Sequence, residues 1–313
     1  MTATLDRILN TRIVAVVRLE QYDRALAVVE ALLLSGVSAS ARTLLLDIGG
    51  AESNLAIQLQ RLGHAVRFIS RVGDDPFGRR IAAMLTEHGV DTAFLAVDTA
   101  APTGVFFREW LPDGSRRVHY YRTGSAASHL APADLPPEAF AGARIVHLTG
   151  ITPALSASCA AAVVRAIELA RAAGAQVAFD PNYRARLWDE AAARAALLPL
   201  VAQSDILLMG HEDARAIFGT DAAAKAIEQA NAMGVRVVVF KQAERGATAQ
   251  TEGRRVHMPA LPVERVIDPV GTDDAFDAGF LAGLLRGYGL EDALELGACL
   301  GAATVGALGD YAA

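Results

Sequence analysis

The sequence predicts an α/β fold: a mainly parallel sheet with helices on both faces and a small antiparallel hairpin region. Three observations predict it. Strand-like and helix-like segments alternate over most of the chain. The strand-like runs Ile145–Leu148, Gln176–Phe179, Asp205–Met209 and Arg236–Phe240 each follow a helical stretch and are almost continuously apolar, the pattern of strands buried on both faces. The chain has 313 residues, 52% of them hydrophobic and 20% charged, enough to build one sizeable core.

The N-terminal half opens the alternation. Thr43 to Ile48 reads as a strand. Gly49-Gly50 follows, then an amphipathic helix with Ala51, Leu55, Ala56, Leu59 and Leu62 on one face and Gly63 placed to end it. Val66 to Ile69 starts another strand, completing a βαβ unit. Thr103–Trp110 and Arg117–Arg122 are aromatic and β-branched, and Leu111-Pro112-Asp113-Gly114 between them is a turn signal, so this pair reads as a hairpin.

Several classes are disfavoured. The net charge of −6 argues against a nucleic-acid binder. No apolar run reaches the roughly 18 residues that a membrane span needs, and Met1–Asn10 has no apolar leader core, so a cytoplasmic protein is expected. Cys159 and Cys299 lie in helical stretches and are expected as two buried thiols. The seven histidines show no metal-binding spacing, so no residue is assigned to a metal.

In open parallel sheets, ligands sit at the carboxyl ends of the strands. The segment Ile267–Leu285 places a Gly-bearing polar turn directly before an apolar helix with small residues at Ala278, Gly279, Ala282 and Gly283. Backbone amides at such a helix start form an anion site. A carboxylate there, Asp274, is suited to take a proton from an attacking hydroxyl while the amides hold a phosphoryl group. The alternative is that Asp273 or Asp274 simply caps the helix.

This segment, Asp268-Pro269-Val270-Gly271-Thr272-Asp273-Asp274, resembles the C-terminal signature of the ribokinase-like (PfkB) carbohydrate kinases. Gly49-Gly50-Ala51-Glu52-Ser53-Asn54 with Arg61-Leu62-Gly63 resembles their N-terminal signature. Arg71-Val72-Gly73-Asp74-Asp75-Pro76-Phe77-Gly78, Tyr120–Ser128, Thr149-Gly150-Ile151 and Phe179–Arg184 with Leu187-Trp188 are similar to the 2-keto-3-deoxygluconate kinase branch. The resemblance implies a ribokinase-like fold, ATP with Mg2+ as phosphoryl donor, and a sugar acid as acceptor. It implies Asp274 as the catalytic base and Gly271, Thr272 and Asp273 as the anion hole. Gly50, Asn54, Phe106, Tyr121, Arg122 and Arg184 would bind substrate. Phe106 stands where that branch carries Tyr. Asn182, Lys241 and Gly246 would serve the nucleotide. Arg122 and Arg184 suit an acid substrate because a guanidinium grips a carboxylate with two parallel hydrogen bonds; surface ion pairing is the plainer reading. The resemblance also admits a homo-oligomer through the hairpin region.

Three departures from the family pattern point to reduced activity, or to a kinase-fold protein that binds a sugar acid or nucleotide without efficient turnover. Asp273 replaces a glycine beside the phosphoryl site. Ala243, in Lys241–Gly246, replaces a glycine in a turn that needs positive φ. Leu5 to Val37 resembles instead the opening of 2-keto-3-deoxy-6-phosphogluconate aldolases, with a junction at Ser38–Arg42. This divides the chain into an atypical segment over 1–42 and a kinase domain over 43–313. Within the segment, Ile13–Val17 could take the place of the family's first strand. The aldolase-like part ends before that family's Schiff-base lysine, so no lyase activity is assigned.

Overall fold

The computed structural model describes residues 13–14, 47–110, 116–307 and 309–311. The turn at Leu111–Gly114, residues 43–46 of the strand expected over Thr43–Ile48 and most of the aldolase-like segment lie outside the described residues; Asp47 and Ile48 are described and are not in a strand. Of that segment only β1 (Ile13–Val14) is described. The remaining elements are α1 (Ala51–Arg61), β2 (Ser70–Gly73), α2 (Pro76–Glu87), β3 (Leu95–Asp98), β4 (Val105–Trp110), β5 (Arg116–Tyr121), β6 (Ile145–Thr149), α3 (Ile151–Leu155), α4 (Ala157–Ala172), β7 (Gln176–Asp180), α5 (Glu190–Val201), β8 (Ile206–Met209), α6 (His211–Phe218), α7 (Ala223–Ala232), β9 (Val237–Lys241), β10 (Ala247–Thr251), β11 (Arg254–Met258), α8 (Thr272–Leu285) and α9 (Leu290–Val305). The chain divides into a smaller unit, which includes Val72–Ile81 and Val97–Ala127, and a larger one made of Gly49–Arg71, Ala82–Ala96 and Ser128–Ala313.

In the smaller unit β1, β4 and β5 form an antiparallel sheet. Ile13 pairs with Glu109 and Val14 with Arg108. The described part of the N-terminal segment therefore extends the hairpin sheet, rather than supplying a first strand to the main sheet. The expected hairpin is present, with Phe106 opposite Tyr120 and Phe107 opposite His119. The Asp75 carboxylate accepts the Gly78 amide at 2.8 Å and the Thr103 amide at 2.7 Å, and the Thr103 hydroxyl accepts the Gly73 amide at 2.9 Å. All three bonds are buried, which gives the Gly73–Gly78 motif a structural role.

In the larger unit six strands run in the order β11-β10-β9-β8-β7-β6. β6 to β9 are parallel, and β10 and β11 continue the sheet antiparallel. Alternating side chains leave on opposite faces. Val177, Phe179, Leu207, Met209, Val238 and Phe240 pack on one face with α4 to α7 residues such as Val163, Leu197, Ile217 and Ile227. Ala178, Ile206, Leu208 and Val239 pack on the other with Leu55 of α1, Phe280 of α8 and Leu294 of α9. The four expected parallel strands are found within one residue of their predicted limits. The β10–β11 hairpin was not predicted; its Glu252-Gly253 turn, with φ of 44° and 78°, is the signal that marks it. The strand expected at Val66–Ile69 begins instead at Ser70, with Arg67 in a lone bridge to Asp91.

Small residues let α8 and α9 approach closely. A Cβ on Gly279 would lie 2.6 Å from the Leu296 carbonyl oxygen, and one on Gly283 2.7 Å from the Ala293 Cα. On α9 the side facing this contact carries Ala293, Leu294, Gly297, Gly301 and Thr304, all buried. Cys299 falls off that side and is exposed, which corrects the expectation of two buried thiols; Cys159 is buried. Among the described residues no helix is long and apolar enough to cross a membrane.

Candidate active site

The turn before α8 is built for close approach. Gly271 is the N-cap of α8 with φ +80°, and a Cβ there would lie 2.0 Å from the Asp310 carbonyl oxygen. Both facts require glycine. Because Gly271 has no side chain, no side chain caps the helix. Asp273 and Asp274 occupy the first turn, so neither is the N-cap, and the simple capping alternative does not describe this helix. The Thr272 hydroxyl is buried and has no partner among the described residues. Uncapped first-turn amides at a helix N-terminus attract anions.

Asp274 is half-buried, and its Oδ2 accepts a hydrogen bond from the Asn54 amide nitrogen at 2.7 Å. Burial, with Asp180 and Asp273 nearby, pushes the Asp274 carboxyl up to about 7, against the opposing effects of Asn54 and Lys241. Asp273 is exposed. Asn54 is buried on α1 next to the N-cap Gly50, and its Oδ1 has no partner. Glu52, in the same first turn, accepts the hydroxyls of Thr149 at 2.6 Å and Thr152 at 3.0 Å. This fastens α1 to the Thr149-Gly150-Ile151 segment after β6.

The turn after β7 carries Asn182 and Arg184. Asn182 is buried with φ 44°; its amide donates to Asp180 Oδ1 at 2.9 Å, and its Oδ1 has no partner. Asp213 braces this turn. It accepts the Tyr183 amide on Oδ1 and the Gly210 amide on Oδ2, each at 2.7 Å. Burial first, then Asp180, pushes Asp213 up to about 7. Arg184 is exposed and donates to the Tyr183 carbonyl at 3.1 Å; among the described residues it forms no ion pair. Surface ion pairing therefore does not account for it.

Lys241 was expected to serve the nucleotide. Its ammonium is buried and donates to Asp180 Oδ2 at 3.2 Å and to Asp277 Oδ1 and Oδ2 at 3.1 and 3.0 Å. Asp277 was missed by the sequence reading. It lies one helical turn beyond Asp274, a spacing that signals proximity. Gly246 closes the following turn, donating to the Ala243 carbonyl and accepting from Gln242. Ala243 adopts φ 50°, the strained conformation its substitution for glycine predicts.

On the smaller unit, strand alternation separates the expected substrate residues. The Phe106 ring lies 5.9 Å from that of Tyr120, and the Arg122 guanidinium sits over the Tyr120 ring at 4.3 Å. Tyr121 is on the opposite side, 5.6 Å from Phe107. Tyr120, which the sequence reading passed over, is therefore the tyrosine grouped with Phe106 and Arg122. The pairing of Phe106 with Tyr120 across the hairpin is the signal that finds it.

The family model for pfkB family carbohydrate kinases matches residues 11–313. A 2-dehydro-3-deoxygluconokinase of Thermoproteus tenax is 37% identical over 267 residues, covering 84% of this chain and 81% of that protein. A fructokinase of Klebsiella pneumoniae is 37% identical over 249 residues, covering 79% of each. The crystal structure of a PfkB protein from Polaromonas sp. JS666 superposes with a TM-score of 0.79 at 34% identity, covering 86% of this chain and 89% of that one.

Proposed function

The chain belongs to the pfkB family of carbohydrate kinases and is a phosphotransferase acting on a sugar, and we propose that its acceptor is a sugar acid, 2-keto-3-deoxygluconate or a close relative, phosphorylated by ATP. The observation that carries this reading is the Asp274–Asn54 contact at an uncapped helix start. A carboxylate near pKa 7 is matched to proton abstraction at neutral pH. Ionised Asp274 takes the proton of the acceptor hydroxyl as the hydroxyl oxygen bonds to the γ-phosphorus and the bond from that phosphorus to the β,γ-bridging oxygen breaks, releasing ADP. The amides of Gly271, Thr272 and Asp273 face the phosphoryl oxygens. Asn54 orients the base, and Asn182, whose buried Oδ1 has no partner among the described residues, would serve the nucleotide. Mg2+, bound with ATP, would supply neutralisation of the phosphate charge. Among the described residues no group of three or more His, Cys, Asp or Glu stands ready to hold it, so no residue of this chain is assigned to the ion.

The acid specificity rests on Arg122 and Arg184, each a candidate grip for the carboxylate. Phe106 supports a relaxed site with one fewer hydrogen bond to substrate. The 2-dehydro-3-deoxygluconokinase and fructokinase relatives at equal identity make fructose the competitor to test. Asp273 supports slow turnover, because it adds an exposed carboxylate to the turn whose amides would form the anion hole. A sugar-acid or nucleotide binder with little turnover is the reading it favours if kcat proves very low. We keep residues 1–42 as an atypical segment ahead of a kinase domain over 43–313. A cytoplasmic setting suits an enzyme that consumes ATP. ADP release measured with 2-keto-3-deoxygluconate, 2-ketogluconate, fructose and ribose tests the assignment: the acids should give the higher kcat/KM, and fructose or ribose at equal efficiency contradicts it.

A further inference from the structure

Three charged groups from three elements meet in the interior of the larger unit. Lys241 ends β9, Asp180 ends β7, and Asp277 lies on α8. Their exposures are 8%, 2% and 1%, and the contacts span 3.0 to 3.2 Å. Charges that far from water must balance. One ammonium balances one carboxylate, so the second keeps a proton. Burial pushes Asp277 well above the usual carboxylate range, with Lys241 opposing and Asp180 adding to the rise. Burial also pushes Asp180 up, but Lys241, then Asp277 and His147, outweigh it and hold Asp180 below that range.

The cluster touches both halves of the candidate site. Asp277 is one turn from Asp274, so fixing its carboxylate fixes the rotation of the first turn of α8. Asp180 Oδ1 takes the Asn182 amide, and the Asp180 carbonyl takes the Gly150 amide at 2.8 Å. A cation at this point joins the helix of the base to the turn on the nucleotide side. The other charged or titratable groups that face it are His147 of β6, Asp213 of α6, and Asp273 and Asp274 of α8. Glu52 of α1 faces His147.

We propose that Lys241, Asp180 and Asp277 form a buried positioning triad that sets the orientation and charge environment of Asp274, so that Lys241 serves phosphoryl transfer from the interior and not as a nucleotide ligand. This rests on Asp274 being the base. Lys241→Met leaves the Asp180 charge unbalanced beside Asp274. The kcat at pH 7 should fall about tenfold or more, with KM for ATP changed less than about threefold. The Asp274 carboxyl should titrate about one unit higher. The double variant Lys241→Met/Asp180→Asn removes one charge of each sign and should return that titration to near the parent position.

The test is a carbon-13 titration of the Asp274 carboxyl in unliganded parent, single and double variants, identified by its loss in Asp274→Asn, beside steady-state kinetics. The titration needs no turnover, so it judges the triad even if the kinase reading fails. If the single variant does not fold, the double variant carries the test. An unmoved Asp274 titration in the single variant overturns the proposal, as does a tenfold rise in KM for ATP at unchanged kcat. A double variant that fails to fold, or that titrates as the single variant is expected to, also overturns it.

Discussion

Asn54 on α1 donates a 2.7 Å hydrogen bond to Asp274 on α8, joining two residues 220 positions apart in the sequence. The contact unites the two signatures at the ends of the chain and orients one carboxylate oxygen while the other stays available. Asp274→Asn should lower kcat by 10²-fold or more, the usual worth of a positioned base, and leave ATP binding nearly intact. Retention of more than about a tenth of the parent kcat would sink the assignment.

The same carboxyl sets a pH dependence. With Asp274 at about 7, kcat should rise with pH through that value as the base ionises and level off above it. Its stability effect has the opposite sign. The native carboxyl keeps its proton to about pH 7, whereas the unfolded chain releases it near 3.8. The stabilisation is fully present below 3.8 and is lost as pH rises to 7. Asp274→Asn cannot ionise, so its Tm relative to the parent should be higher at pH 8 than at pH 5. Melting curves at the two pH values check this, and a pH-independent difference contradicts it.

The grouping of Phe106, Tyr120 and Arg122 bears on substrate choice. Arg122→Ala should raise KM for a sugar acid with a smaller change in kcat. Tyr120→Leu removes the ring beneath the guanidinium and should act in the same direction, whereas Tyr121→Leu should not. A larger effect at Tyr121 would reverse the assignment. Arg184→Ala, measured separately, reports the other candidate grip.

Much of this was legible in the sequence, because buried parallel strands leave nearly continuous apolar runs and the signature turns carry their own glycines. The conformation of Ala243 followed from the glycine it replaces. What escaped depended on parity or on distance. Tyr120 and Tyr121 are adjacent in the chain, and only the register opposite Phe106 decides which shares its face. The environment of Lys241 comes from partners 36 and 61 residues away, which no local pattern shows. Cys299 looked buried because its stretch is rich in Ala and Leu, while burial follows the side pressed against α8.

The strain at Ala243 is testable directly. A residue with a Cβ at φ 50° costs roughly 1 kcal/mol more than glycine. Ala243→Gly should therefore raise Tm by about 1–2 °C. A lower Tm would show that the turn tolerates the side chain.

Asp273 separates a competent kinase from a suppressed one. A like charge about 5 Å from the transferring phosphoryl group, at an effective dielectric of about 20, costs about 3 kcal/mol, or about two decades in rate. Asp273→Gly should raise kcat by that factor. An unchanged rate, in a parent already turning over above about 10 s⁻¹, would mean that the exposed carboxylate stays turned to solvent.

The central claim is that this chain phosphorylates a sugar acid with Asp274 as base. The most direct test is ATP-dependent ADP release with 2-keto-3-deoxygluconate, run side by side for the parent, Asp273→Gly and Asp274→Asn. Turnover should be slow in the parent, about two decades faster in Asp273→Gly and abolished in Asp274→Asn. Turnover that persists in Asp274→Asn, or that appears with fructose or ribose at equal efficiency, contradicts it.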